Sequence, residues 1–124
     1  MSEETKRGFN FEKLDVWQRT VGLAAFIDDI TGKFPSEEKF GITSQMRRAA
    51  VSVSSNIAEG SSRSSRQDFA RFVEFAVGSL YELVSQGFIA RKQGLPDDPG
   101  FHKLYSDWDE LIRMPIGLRN HLRS

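Results

Sequence analysis

The stretch Ile42-Thr43-Ser44-Gln45-Met46-Arg47-Arg48-Ala49-Ala50-Val51-Ser52-Val53-Ser54-Ser55-Asn56-Ile57-Ala58-Glu59-Gly60 decides the fold. At the helical turn of about 100° per residue, Ile42, Met46, Ala49, Ala50, Val53 and Ile57 form one apolar stripe. A helix is therefore predicted from about Thr43, its expected N-cap, to Glu59. Most of the stripe is small, so a second helix can approach closely. Gly60 follows the last predicted turn, where a left-handed cap is usual.

Three further segments have the same character. From about Leu14 to Lys33, Val16, Leu23, Ile27, Ile30 and Phe34 share a stripe, with Trp17, Thr20 and Phe26 at its margins. Gly32 and the Phe34-Pro35 step end it, because proline disfavours helical backbone in the residue before it. Ser36-Glu37-Glu38 suits one short turn before Gly41. A third helix opens after Ser61-Ser62-Arg63-Ser64-Ser65, where Ser65-Arg66-Gln67-Asp68 resembles a capping box. Its stripe is Phe69, Phe72, Val73, Ala76, Leu80, Leu83, Gly87 and Ala90, ahead of Gly94. A second apolar flank of Val77, Tyr81, Val84 and Phe88 widens that face and calls for a second partner. Gly78 and Gly87 each cost about 1 kcal/mol against alanine inside a helix, so each either permits a close contact or is merely tolerated.

Pro96-Asp97-Asp98-Pro99-Gly100 breaks the chain. Beyond it, Phe101, Leu104, Tyr105, Trp108, Leu111 and Ile112 share one face. Pro115 predicts a kink, with Ile116, Leu118 and Leu122 continuing past it. Four helices, short connections and no strand pattern predict an all-α fold, an antiparallel up-down-up-down four-helix bundle over residues 14–124. Residues 1–13 are expected to form a loosely ordered N-terminal segment.

Composition narrows the function classes. A chain of 124 residues fits one domain, and its 39% hydrophobic content supplies one core. No apolar run approaches the roughly 20 residues that span a bilayer, and no signal peptide is visible at Met1-Ser2-Glu3-Glu4-Thr5-Lys6-Arg7. The expectation is a cytoplasmic protein with no membrane contact. The sequence has no cysteine, which removes disulfides, thiolate ligands and thiol nucleophiles together. A formal net charge of zero argues against coating nucleic acid by bulk charge. The charge is uneven, however: between Thr43 and Arg71 there are five basic residues and two acidic ones.

The residues form no recognisable catalytic motif. A two-iron bundle site needs Glu-x-x-His pairs on facing helices, and none occurs; His102 and His121 both lie on the last segment. Nucleophilic catalysis needs a serine or lysine beside a base, and no Gly-x-Ser-x-Gly elbow is present. The carboxylate groups Asp28-Asp29, Asp97-Asp98 and Asp107/Asp109/Glu110 fall on loops or polar helix faces, as solvated charge does. No glycine-rich phosphate loop is found. The sequence therefore predicts no enzyme, no metal and no cofactor.

Two polar features remain. Gln45, Arg48, Ser52, Ser55, Asn56 and Glu59 lie within about 100° of arc on the second helix. They are either an ordinary exposed face or a hydrogen-bonded seam against another subunit, with Asn56 and Glu59 fixing register. The serine-rich turn carries Arg63 and Arg66, with Arg71 a turn and a half later. It is either a self-capped loop with solvated arginines or a phosphate contact for RNA or DNA, since guanidinium binds phosphate through a planar fork.

A family resemblance rests on Phe11-Glu12-Lys13-Leu14-Asp15-Val16-Trp17-Gln18, Phe34-Pro35, and Phe40-Gly41-Ile42-Thr43-Ser44-Gln45-Met46-Arg47-Arg48-Ala49-Ala50. It continues through Asn56-Ile57-Ala58-Glu59-Gly60, Phe69-Ala70-Arg71-Phe72 and Ala76-Val77-Gly78-Ser79-Leu80-Tyr81-Glu82-Leu83. From about Phe11 to Leu122 the chain resembles the four-helix-bundle proteins encoded in intervening sequences of bacterial 23S ribosomal RNA genes. It is distantly similar to the accessory variability determinant of diversity-generating retroelements. The resemblance implies a left-handed up-down bundle, a homopentameric barrel and no established catalysis. For the distant relative it implies work with a reverse transcriptase and nucleic acid.

The resulting expectation is a non-enzymatic, self-assembling protein of unassigned role. Its oligomer would gather small basic patches (Arg63, Arg66, Arg71) for weak RNA or DNA binding. The subunit contacts would come from Gln45, Arg48, Ser52, Asn56 and Glu59, and from Val77, Tyr81, Val84 and Phe88. The alternative is a protein–protein adaptor that presents an oligomeric surface to an enzyme or ribonucleoprotein.

Overall fold

The computed structural model describes residues 8–124. Five helices follow one another: α1 (Asp15–Thr31), α2 (Ile42–Ser61), α3 (Arg66–Lys92), α4 (Asp98–Leu111) and α5 (Arg113–Arg123). Single 3-10 turns sit at Asn10–Lys13 and Ser36–Glu38, and no strand occurs among the described residues. Of the N-terminal segment expected to be loose, residues 10–13 form the first of these turns; residues 1–7 lie outside the described part.

Contacts at the helix ends set the direction of packing. Arg47, near the start of α2, donates from Nε to Thr31 Oγ1 (2.9 Å) and from Nη2 to the Asp28 carbonyl (3.2 Å), at the end of α1. Residues 62–65 turn α2 into α3. Arg66, at the start of α3, donates to the His121 carbonyl near the end of α5 (2.8 Å). Arg19, early in α1, reaches Glu110 late in α4 (2.8 Å). Each contact joins the beginning of one helix to the end of another, so the architecture is an up-down-up-down bundle of four helices, with α4 and α5 together making the fourth.

The apolar stripes become the core. All six stripe residues of α2 are buried, as are Val16, Leu23, Ile27, Ile30 and Phe34. On α3 the stripe from Phe72 to Ala90 is buried, while Phe69 is half-covered. Small residues let α2 and α3 approach closely, and this is the most extensive helix pairing in the fold. α5 packs chiefly on α3, where Ala70, Val73 and Val77 are buried outside the main core cluster.

Three local expectations change. The cap of helix α2 lies two residues early, at Gly41, and Thr43 is buried in the first turn with no partner for its hydroxyl. Gly60 is a helical residue rather than a left-handed cap: a Cβ there would stand 2.7 Å from Phe72 Cβ and 2.9 Å from Phe69 Cδ1. The left-handed glycine is Gly94 (φ 84°), which closes α3 with hydrogen bonds from Leu95 N–H to the Ala90 carbonyl and from Gly94 N–H to the Arg91 carbonyl. The break in the fourth helix falls at Ile112, three residues ahead of Pro115. Proline cannot donate to the Leu111 carbonyl and its ring crowds that group, so the strain appears one turn upstream. Pro115 then occupies the first turn of α5, where a missing N–H costs little.

Gly87 separates into a packing role and Gly78 does not. A Cβ on Gly87 would stand 2.2 Å from the Trp108 ring, whereas one on Gly78 or Gly22 would meet nothing within 4 Å. Gly87→Ala should therefore destabilise the fold by about 1–2 kcal/mol, overpacking outweighing helix propensity. Gly22→Ala should stabilise it by about 0.5–1 kcal/mol. Urea unfolding followed by circular dichroism checks both; equal gains would show that Trp108 does not need the Gly87 notch.

Candidate functional sites

The Ser62–Ser65 turn places a group of arginines at one end of the bundle. Ser65 is the N-cap of α3, and its Oγ accepts from the Asp68 N–H (3.0 Å). That helix end is thus capped by its own serine. The Asp68 carboxylate turns outward and accepts from Arg71 (2.9 and 3.1 Å), with Arg63 Nε 4.0 Å away. Arg63 also bonds Glu59 (3.0 Å) and lies over the Phe72 ring, 4.5 Å from its centroid. Arg71 stands 5.1 Å from the Phe72 ring centroid and 5.8 Å from that of Phe75. Arg66 instead holds the His121 carbonyl, so Arg63 and Arg71 share Asp68 while Arg66 points to α5.

The fold adds two arginines to this end. Arg119 (3.0 Å) and Arg123, on α5, both bond Glu74 of α3. Two shallow grooves run between the first turns of α3 and the last turn of α5. One, of about 390 Å³, is lined by Ser65, Gln67, Asp68, Arg71 and Arg123. The other, of about 540 Å³, is lined by Arg66, Gln67, Leu122, Arg123 and Ser124. Arg63 lines neither.

The polar stripe of α2 divides. Ser52 shares a hydrogen bond with Ser79 of α3 (2.9 Å), and Asn56 Nδ2 donates to the Ser52 carbonyl (2.9 Å) and hydroxyl (3.1 Å). These two residues, together with the Glu59–Arg63 pair, make contacts within the subunit; Gln45 and Arg48 are exposed. The apolar flank of α3 divides as well. Val77, expected at a subunit contact, is 7% exposed and belongs to the interior, because α5 packs against this helix. Tyr81 (60%) and Phe88 (49%) are exposed, with Val84 half-buried between them. Tyr105 of α4, expected in the core, is 50% exposed and meets Phe88 edge-on, ring centroids 6.2 Å apart. Beside them a cleft of about 210 Å³ is lined by Tyr81, Val84, Tyr105, Trp108, Asp109 and Ile112. Among the described residues no helix is long and apolar enough to cross a membrane, and no group of three or more His, Asp or Glu could hold a metal ion.

A family model described as "23S rRNA-intervening sequence protein" matches residues 12–117. The chain belongs to that family. Its fold is similar to the crystal structure of a protein of unknown function from the S23 ribosomal protein family of Bacteroides thetaiotaomicron. The TM-score is 0.76 at 20% identity, covering 83% of this chain and 96% of that one. No curated protein matches the chain. In this chain Asn56 ties back to Ser52, Glu59 holds Arg63, and Gly60 leaves room for Phe69 and Phe72.

Arg119, Arg123 and Glu74 were the residues hardest to find from sequence. The available signal was the i, i+4 spacing of the two arginines on the last turns of an antiparallel fourth helix, which must end beside the start of the third. The hydrogen bond from Arg123 holds the Glu74 carboxyl below its usual value of 4.5, with both arginines adding charge attraction. The hydrogen bond and charge of Arg19 do the same for Glu110.

A carboxyl lowered on folding stabilises the fold fully above its unfolded value and loses that contribution as pH falls through the folded one. Glu74→Gln should therefore lower the melting temperature near neutral pH, and the difference from wild type should vanish in acid. Thermal melts across a pH series check this; a pH-independent difference would contradict the Glu74 pairing.

Proposed function

We propose that this chain is a non-catalytic protein that assembles with copies of itself through the aromatic face of α3 and α4. The assembly presents the arginine-bearing ends of its bundles to RNA or DNA. The observation that carries the assembly reading is the exposure of Tyr81, Phe88 and Tyr105 in one patch around Val84. Large apolar side chains grouped on a surface mark an interaction site more often than singly scattered ones do. Aromatic side chains also bring large contact area at low entropic cost. A pentameric ring suits a bundle that meets its neighbours through faces along its length. The ring would superimpose five weak basic ends into a field that one neutral chain lacks.

The expected result in sedimentation velocity is a discrete oligomer that becomes monomeric in Tyr81→Glu/Phe88→Glu, with helix content unchanged. A monodisperse wild-type monomer would sink the assembly reading. It would favour the second reading, in which the cleft beside Trp108 receives a side chain of another protein, such as a reverse transcriptase or another enzyme. For nucleic acid, titration at low salt should show weak binding that is lost when Arg63, Arg66 and Arg71 become alanine. Equal binding by wild type and that variant would remove these arginines from the site.

A further inference from the structure

We propose that the grooves between the first turns of α3 and the end of α5 take the backbone of a single nucleic-acid strand. Arg66, Arg71 and Arg123 would contact phosphates, and Phe75 would stack a base. This rests on the reading that the arginine end binds nucleic acid, and specifies where and in which form.

The two grooves share Gln67 and Arg123, so they form one path along the surface. Three arginines from two helices line it, against one carboxylate, Asp68. Phe75 is 47% exposed one helical turn beyond Arg71, whose guanidinium lies 5.8 Å from the Phe75 ring centroid and 5.1 Å from that of Phe72. An exposed ring beside a guanidinium gives an unpaired base a π-face and a neighbouring phosphate a counter-charge. A duplex keeps its bases stacked inside and has no use for that ring.

Glu74 supplies the second half of the argument. Its carboxylate engages both Arg119 and Arg123, the charge partner a phosphate would otherwise be. These pairs are partly exposed, and exposed pairs are held weakly. A phosphate can therefore exchange with the carboxylate, and removing that competitor should expose two cations.

The test is fluorescence anisotropy at low salt with the full chain, a labelled single-stranded RNA and the duplex of the same sequence. Wild type should bind the single strand more tightly than the duplex. Phe75→Ala should weaken the single strand roughly tenfold, the ordinary worth of one stacked base, and leave the duplex unchanged. Glu74→Gln should tighten the single strand several-fold and steepen its salt dependence, because more counterions are released. Arg123→Gln, at an exposed position in the last turn of α5, should weaken binding without touching the core. Wild-type binding that ignores all three substitutions would overturn this groove while leaving a nucleic-acid function standing. Absence of binding to either probe would overturn both.

Discussion

The close approach of α2 and α3 is the constraint on which the other features depend. Ala49, Ala50 and Gly60 on one helix and Ala76 on the other are small enough to bring the two axes together. At Gly60 the fit leaves no room for a methyl group, because Phe72 and Phe69 occupy that space. The short Ser62–Ser65 turn is possible only because the helices are already adjacent. That turn then delivers Ser65 as a cap and places Arg63 and Arg71 around Asp68.

Bulky residues go where the pair leaves space. Trp108 inserts at Gly87, and Phe101, Phe88 and Tyr105 build an aromatic cluster between α3 and α4. This side of the bundle is wide, which leaves Tyr81, Phe88 and Tyr105 partly uncovered. The bend forced by Pro115 has the opposite effect below it: α5 lies along α3 and brings Arg119 and Arg123 onto Glu74. One proline therefore separates an aromatic face from a basic end.

Helix number, order and core were legible because apolar spacing is local. Every buried stripe position from Ile42 to Ile57 could be read without knowing what packs on it. Val77 and Tyr105 were misplaced because a stripe shows only that a residue faces something, not whether the neighbouring helix covers it. The Ile112 break moved upstream because proline damages the carbonyl four residues back rather than its own position. Gly60 carried two signals, a cap and a close contact, and packing decided between them. The Glu74–Arg119–Arg123 group depends on contact between distant segments, which composition cannot reveal.

If α2 and α3 form the frame, they should also be the last part of the fold to open. Native-state hydrogen exchange measures this directly, because each amide reports the free energy of the opening that exposes it. The slowest amides are expected in α2 between Ala49 and Ile57 and in α3 between Ala76 and Leu83. Those of α5, held by surface ion pairs and half-buried side chains, should exchange well before global unfolding. Slowest exchange in α4 or α5, or fast exchange across the α2–α3 contact, would contradict the account.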